Sequence, residues 1–420
     1  MRYRLLALTL LAATVGGARA DNWPQWRGPT NDGISRETGL PSEWSDSKNL
    51  AWKLKMPSKA GSTPCVWGDR IFVTSEDGDA TVLIAVGADG KELWRKPFGS
   101  NGRKSYMRGE ANDASASPCT DGQHVWVFDG QGHFACFDFT GNEAWKFNAQ
   151  ERYGKFSIQH GMHVTPLLDD GRLYLALLHS NAWLVIALDK ATGKEIWKVK
   201  RTSDAYAENE HSYASVFIWR KNGDEYLVVH GNDYTTAHSL ADGSELWRLG
   251  DLNPQDQRYN PTLRFVASPA ISPDLIVVPT AKNGPVVGVK PTARGSIRAG
   301  SPGEVWRRPR GTPDVPSPVI HDGIVYLCRE RDAVVALDAA TGQDLYNQPI
   351  HRGIYRASPV VADGKVYLTA RDGTVTVIKT GPKFELVAEN KLPDQISASP
   401  AISNGRIYLR GWDYLYAIGK

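Results

Sequence analysis

The chain has 420 residues, with 49 Lys and Arg against 46 Asp and Glu and a formal net charge of +3. Three of the basic residues, Arg2, Arg4 and Arg19, stand in the first twenty positions, so the remainder is formally neutral. That balance, with no block of like charge, excludes a bulk field for nucleic acid, and no later apolar stretch approaches the ~18 to 20 residues of a membrane-spanning helix.

Residues 1–20 read as a secretory signal: Arg2 and Arg4, an apolar run from Leu5 to Val15, and Ala18-Arg19-Ala20 as a cleavage site. The expectation is an exported chain, periplasmic or otherwise outside the cytoplasm, whose mature form begins at Asp21. Residues 21–49 form a Trp- and Pro-rich extension, expected to pack on the rest of the chain. Residues 50–420 carry one continuous repeat without a linker, which points to a single domain.

Eight units follow, beginning at Ser62-Thr63-Pro64, Ser117-Pro118, Thr165-Pro166, Tyr213-Ala214, Ser268-Pro269, Ser317-Pro318, Ser358-Pro359 and Ser399-Pro400, with successive anchors 54, 48, 48, 55, 49, 41 and 41 residues apart. Such periods indicate a propeller, a solenoid or an array. Each unit holds four short runs of period-two alternation separated by turn residues, as in Arg172 to Leu177, Trp183 to Leu188, Lys365 to Thr369 and the turns Asp170-Gly171 and Thr192-Gly193. Helical spacing is nowhere sustained.

An aromatic recurs near the start of the fourth run: Trp94, Trp145, Trp197, Trp247, Trp306 and Tyr346, with Trp52 ahead of the first unit and none in the seventh, whose run passes through Leu386. A flat side chain at a fixed repeat position suits the gap between neighbouring sheets. The eighth unit supplies only three runs, Ala398 to Ile402, Arg406 to Arg410 and Tyr414 to Ile418. Leu50 to Leu54 has the fourth-run pattern and is expected to complete that unit. The reading is an all-β fold, an eight-bladed propeller of four-stranded blades latched by an N-terminal strand.

Cys65, Cys119, Cys136 and Cys328 fall within strands, without metal-ligand spacing, and are expected to be buried thiols.

The segment Ala187-Leu188-Asp189-Lys190-Ala191-Thr192-Gly193-Lys194-Glu195-Ile196-Trp197 resembles the A-x-D-x-x-T-G-x-x-x-W motif of the PQQ-like repeat, the propellers similar to quinoprotein alcohol dehydrogenases. Ala336 to Tyr346 and Ala237 to Trp247 are similar to it. The block Asn22-Trp23-Pro24-Gln25-Trp26-Arg27-Gly28-Pro29 resembles the leader of exported, BamB-like propellers of planctomycete type. The resemblance implies the fold for residues 50 to 420. It leaves function open, because the superfamily holds both dehydrogenases and the assembly scaffold BamB. The adjacent cysteine pair found above the quinone in the dehydrogenases is missing, and so is C-x-x-C-H for haem. Position 21 is Asp, where a lipoprotein would have Cys.

In this architecture the loops from strand four to the next strand one share a face with the turns between strands two and three. Those loops are long ahead of blades two to five, at residues 99 to 114, 149 to 162, 200 to 211 and 250 to 265, and short ahead of blades six to eight; on the opposite face residues 292 to 303 make one long exception. Binding residues tend to ride on such loops. The polar residues entering the innermost strands define the candidate ligand site at the channel mouth: Asn112, Asp113, His160, His163, Glu210, His211, Arg264, Asp314, Arg356 and Gln395, with Lys59 beside them. These groups suit a carboxylate, an anionic sugar or a cation, and equally a channel whose charges satisfy one another.

The function expected is a non-catalytic exported scaffold that binds a protein or a cell-envelope glycan as a monomer, with no nucleic-acid partner, no catalytic residues, no metal and no cofactor. The alternative is a PQQ-dependent oxidoreductase using PQQ with Ca²⁺, with Asp113 or Asp314 as base and Arg264 or Arg356 near the quinone carboxylates; a third is an envelope polysaccharide binder or hydrolase working at the mouth. Trp183, Trp219, Tyr106 and Trp412 are candidate exposed aromatics for a partner.

Overall fold

The computed structural model describes residues 21–102, 109–253 and 259–420; residues 1–20 and Tyr106 lie outside them. The described backbone forms eight sheets, seven of four strands and one of five. In the third blade Leu167–Asp169, Arg172–His179, Ala182–Asp189 and Glu195–Lys200 pair antiparallel in chain order. The latch is as expected: Leu50–Lys55 pairs with Tyr414–Ile418 and completes the blade that contains Arg406–Arg410. The long turn at 292 to 303 contributes an extra strand, Gly295–Ile297, which pairs parallel with Glu245–Leu249 of blade four and ties two blades together. Two helical turns, Ala149–Tyr153 and Ala207–Glu210, lie in the long loops.

The recurring indole is a cross-blade fastener. Trp94, Trp145, Trp197, Trp306 and Trp52 each donate from Nε1 to a main-chain oxygen of the next blade, at Phe139, Lys190, Leu240, Ala339 and Ala88, over 2.8 to 3.0 Å. Its docking surface explains the motif. Asp189 Oδ1 accepts from Thr192 N and Oγ1, which closes the turn, and Gly193 follows at φ +66 with the face of Trp145 so close that a Cβ would meet the ring at 2.8 Å. Between blades four and five the carbonyl of Pro291 is taken instead by Tyr226 Oη, and Trp247 packs edge-on against Tyr226 at 5.8 Å.

Blade seven has Ala388 in the register position that holds the aromatic elsewhere. The extension fills the gap: Trp44, 4% exposed, stacks on Tyr367 at 6.3 Å, and its main-chain N–H donates to Asn390 Oδ1. Upstream, Trp23 bridges to Val66, Thr120 N donates to Pro24 O, and Leu168 N donates to Gln25 Oε1. The buried Arg27 guanidinium donates to Pro318 O and Pro359 O, both at 2.9 Å. Residues 23 to 27 thereby cross the mouth of the channel opposite the long loops, and Trp44 reaches the outer strand of blade seven.

Around the axis the anchor hydroxyls form a chain. Thr63 N donates to Ser117 Oγ, Ser117 N to Thr165 Oγ1, Thr165 N to Ser215 Oγ, and so on through Ser268, Ser317 and Ser358 to Ser399, at 2.9 to 3.2 Å. The fourth anchor is therefore Ser215, two residues beyond the Tyr213 expected from spacing. A hydroxyl acceptor is what the preceding blade requires, and Ala214 cannot supply it. At the closing junction Thr63 Oγ1 is buried without a hydrogen-bond partner. The four cysteines are buried thiols.

Candidate functional site

The axial channel widens into a funnel of about 190 Å³ on the long-loop face. Below it the serine ring lines a second chamber of about 160 Å³ whose far end meets Trp26 of the extension. Trp26 leans on Phe217 of blade four at 6.0 Å, which fixes the floor.

Arg264 is the most deeply set charge in the funnel wall, 7% exposed. Its neighbour Phe265 is buried against His230, with ring centroids 4.3 Å apart, and Phe265 O accepts from Tyr213 N. Because successive side chains alternate in extended backbone, anchoring Phe265 outward turns Arg264 to the axis. Its Nε lies 2.9 Å from Glu208 Oε1, and Nη1 lies 3.8 Å from Asp314 Oδ1. Neither nitrogen is aligned to donate, so these are contacts of charge and not directed hydrogen bonds. Glu208 also faces His160 Nε2 at 3.7 Å and Lys282 Nζ at 3.8 Å.

Across the funnel Arg356 Nε donates to Glu110 Oε2 at 2.7 Å and Nη1 pairs with Glu330; Arg371 pairs with the other oxygen of Glu110. The imidazole of His160 leans on Tyr213 at 5.9 Å, and Tyr213 Oη accepts from His160 N. Burial and the charge of Arg264 hold His160 below the ordinary imidazole range, and burial pushes His163 down to about 4. Both rings are therefore neutral at pH 7.

Of the candidate residues, the fold brings His160, His163, Arg264, Asp314 and Arg356 to the funnel. The other five stand elsewhere. Asn112 is buried and spends its amide on Lys59 O at 2.6 Å and its oxygen on Ala114 N. Asp113 is fully buried and accepts from Gly102 N and Gln131 Nε2. His211 is buried beneath the loop against Ser180 Oγ at 3.0 Å. Glu210 closes the helical turn, its main-chain oxygen held by Asn232 Nδ2. Gln395 is exposed on the rim. Each lies in a loop where one residue of displacement redirects the side chain.

Glu110, Glu208, Tyr213, Lys282, Glu330 and Arg371 join the site without having been singled out. The last two and Lys282 come from turns between strands two and three, which the face assignment already placed beside the mouth. Among the candidate aromatics, Trp219 is a core residue, 1% exposed and stacked on Tyr226 at 4.9 Å. Trp183 and Trp412 are half-buried, the latter under the Lys59 ammonium.

Among the described residues no three His, Cys, Asp or Glu converge as metal ligands. No helix of the described residues is long and apolar enough to cross a membrane.

The family model described as outer membrane protein assembly factor BamB matches residues 131–298 and 293–382, more than half of the chain. The chain belongs to that family. Solved structures agree on the fold: BamB from Moraxella catarrhalis, at 12% identity and TM-score 0.63, covers 88% of this chain and 99% of its own. Quinohemoprotein alcohol dehydrogenase from Comamonas testosteroni matches at 12% identity and TM-score 0.71, over 97% of this chain and 82% of its own. A europium-containing methanol dehydrogenase matches at 11% identity and TM-score 0.65, over 93% and 89%. No curated protein matches by sequence.

Proposed function

We propose that this member of the BamB-type propeller family is a non-catalytic scaffold, exported to the periplasm or cell envelope, which holds a partner protein or an envelope glycan on its long-loop face. The observation that carries the reading is the pairing of the funnel charges: Glu110 with Arg356 and Arg371, and Glu208 with Arg264 and Lys282. Charges matched in this way hold the shape of the mouth and keep its carboxylates and cations engaged with one another. The solved BamB structure is compatible with such a role.

The dehydrogenase reading meets a poor fit. A tricyclic quinone with Ca²⁺ requires a flat slot and several oxygen ligands, whereas the funnel is bordered by the ion pairs Glu208–Arg264 and Glu110–Arg356. Asp113, one of its two candidate bases, is buried away from the funnel, and the other, Asp314, faces Arg264. No reaction step is assigned to it.

The test is a thermal-shift titration of residues 21–420 with PQQ, with and without Ca²⁺. The scaffold reading expects no saturable shift at high ligand excess. A saturable rise of a few degrees that needs both would mean native-state binding and replace the scaffold by the enzyme. Mass spectrometry of the exported fraction checks the compartment, with Asp21 expected as the first residue.

A further inference from the structure

The same loop that aims Glu208 into the funnel presents Tyr206 on its other side, where a separate pocket of about 340 Å³ opens beside blade four. Tyr206 is 54% exposed, the most exposed of the large hydrophobic side chains of the described residues. It is nonetheless fixed, stacked on Tyr259 with centroids 4.4 Å apart and 22° between the rings. One face of Tyr206 is therefore covered by Tyr259, and more than half of the side chain stays exposed. Among the described residues it is an apolar platform on a long loop without a covering element.

The rim is built of acceptors. Tyr259 Oη donates to Asp233 Oδ2 at 2.5 Å, and Asn209 Nδ2 donates to Asp233 Oδ1 at 3.2 Å. Tyr234 Oη donates to Asp204 Oδ1 at 2.9 Å, with the Arg248 guanidinium 4.9 Å from the Tyr234 ring. Arg298, half exposed, pairs with Asp251 at 3.1 Å. The hairpin turn that offers Asp233 is braced from inside by the buried Arg201, which donates to Gly231 O, Asn232 Oδ1 and Tyr234 O, each at 3.2 Å. These carboxylates hold more lone pairs than their donors use.

The residues lining the pocket include three acids, Asp204, Asp233 and Asp251, against the single cation Arg298; that balance repels an anion, and the platform requires an apolar face. A pyranose ring meets both conditions: its C–H face lies on an aromatic, and its hydroxyls supply donors to carboxylates. A polyproline segment would meet the tyrosines but has no N–H to bring to the rim. We propose that this pocket binds a neutral sugar unit of a glycan, stacked on the open face of Tyr206 and hydrogen-bonded by Asp204, Asp233 and Arg298.

The inference deepens the scaffold reading by assigning its glycan arm a site. Capture of a partner protein could succeed while this fails. The test titrates residues 21–420 with neutral tetrasaccharides of β1,4-linked N-acetylglucosamine, β1,4-linked glucose and α1,4-linked glucose, read by calorimetry and saturation-transfer NMR.

At least one is expected to bind with a Kd below about 1 mM, and Tyr206→Ala to weaken it about tenfold or more. Tyr206→Trp keeps the platform and the affinity, and Leu386→Ala, an exposed change on blade seven, leaves binding as it was. Absence of binding by all three sugars overturns the proposal. So does binding that Tyr206→Ala and Asp204→Ala both leave within twofold, and so does binding confined to uronate-bearing sugars or to a polyproline peptide.

Discussion

Blades three to five and blades six to eight repeat one four-stranded unit on different spacings. Successive ring hydroxyls lie 50, 53 and 49 residues apart from Thr165 to Ser317, and 41 and 41 from there to Ser399. The extra residues of the first group lie outside the four-stranded ladders, although Leu252, Leu263, Phe265 and Ile297 pack into the core between blades four and five. They build the loops that carry Glu208, Tyr206, Tyr259 and Arg264, and the turn whose strand crosses to blade four. The second group carries short connections and ion pairs. Because strand register is set by ladder and core, a propeller can lengthen its loops in one sector and keep the ring unchanged, so its candidate sites gather where the spacing is long.

The sectors also differ in buried histidines, and acid is the largest way to separate them. Burial pushes His163, His179 and His238 down to about 4 and His230 to about 3, all in blades three and four. The unfolded chain takes up these protons as pH falls through 6.5, while the folded chain does not until about 4, or about 3 for His230. Stability is thus lost between those values, by roughly 3 to 5 kcal/mol per imidazole. Asp233, whose carboxyl burial pushes up to about 6, opposes this by taking up a proton in the folded state first. Hydrogen exchange at pH 7 and pH 4.5 is expected to show blades three and four losing protection while blades six to eight keep theirs. Equal loss in both sectors would contradict the assignment.

Next in size is Trp44→Ala, which empties the seam at blade seven. Removing a buried indole costs roughly 3 to 5 kcal/mol, and urea unfolding should register it. A cost under about 1 kcal/mol would mean that the extension is not part of the packing.

The serine ring is common to both sectors, so Ser215→Ala and Ser317→Ala should cost about the same. Each leaves a buried main-chain N–H, of Thr165 or Ser268, without its acceptor, worth roughly 1 to 3 kcal/mol. A large difference between them would show that the ring is not uniform. The smallest effect is expected of Trp197→Phe, which keeps an aromatic ring in the seam while losing the bond to Leu240 O and part of the indole's packing, about 1 kcal/mol.

Much of the fold was legible in the chain. Arg406 to Arg410, Tyr414 to Ile418 and Lys365 to Thr369 match the observed strands residue for residue, since alternation with flanking turns is a local signal. The innermost strands were less so: Ala401–Ser403 is shorter than the run that suggested it and starts later, because near the axis the backbone bonds to the neighbouring blade's hydroxyl and not to a ladder. The funnel was half legible. Residues directly ahead of an inner strand, such as Arg264 and Arg356, reach the axis by the strand's own direction. Asn112, Asp113 and His211 have the same polarity but turn inward to hold their loops.

The amino-acid sequence by itself determined the blade count, the latch and the docking indoles, because each is a repeat of local pattern whose errors average out over eight copies. Only the tertiary structure decided that Trp44 replaces the aromatic of blade seven, that Ser215 and not Tyr213 joins the ring, and that Glu110 and Glu208 close on Arg356 and Arg264. These pairings join residues up to 323 positions apart, as Trp44 and Tyr367 are, or loops with no repeat to copy. Their partners are chosen by which surfaces the closed ring brings together.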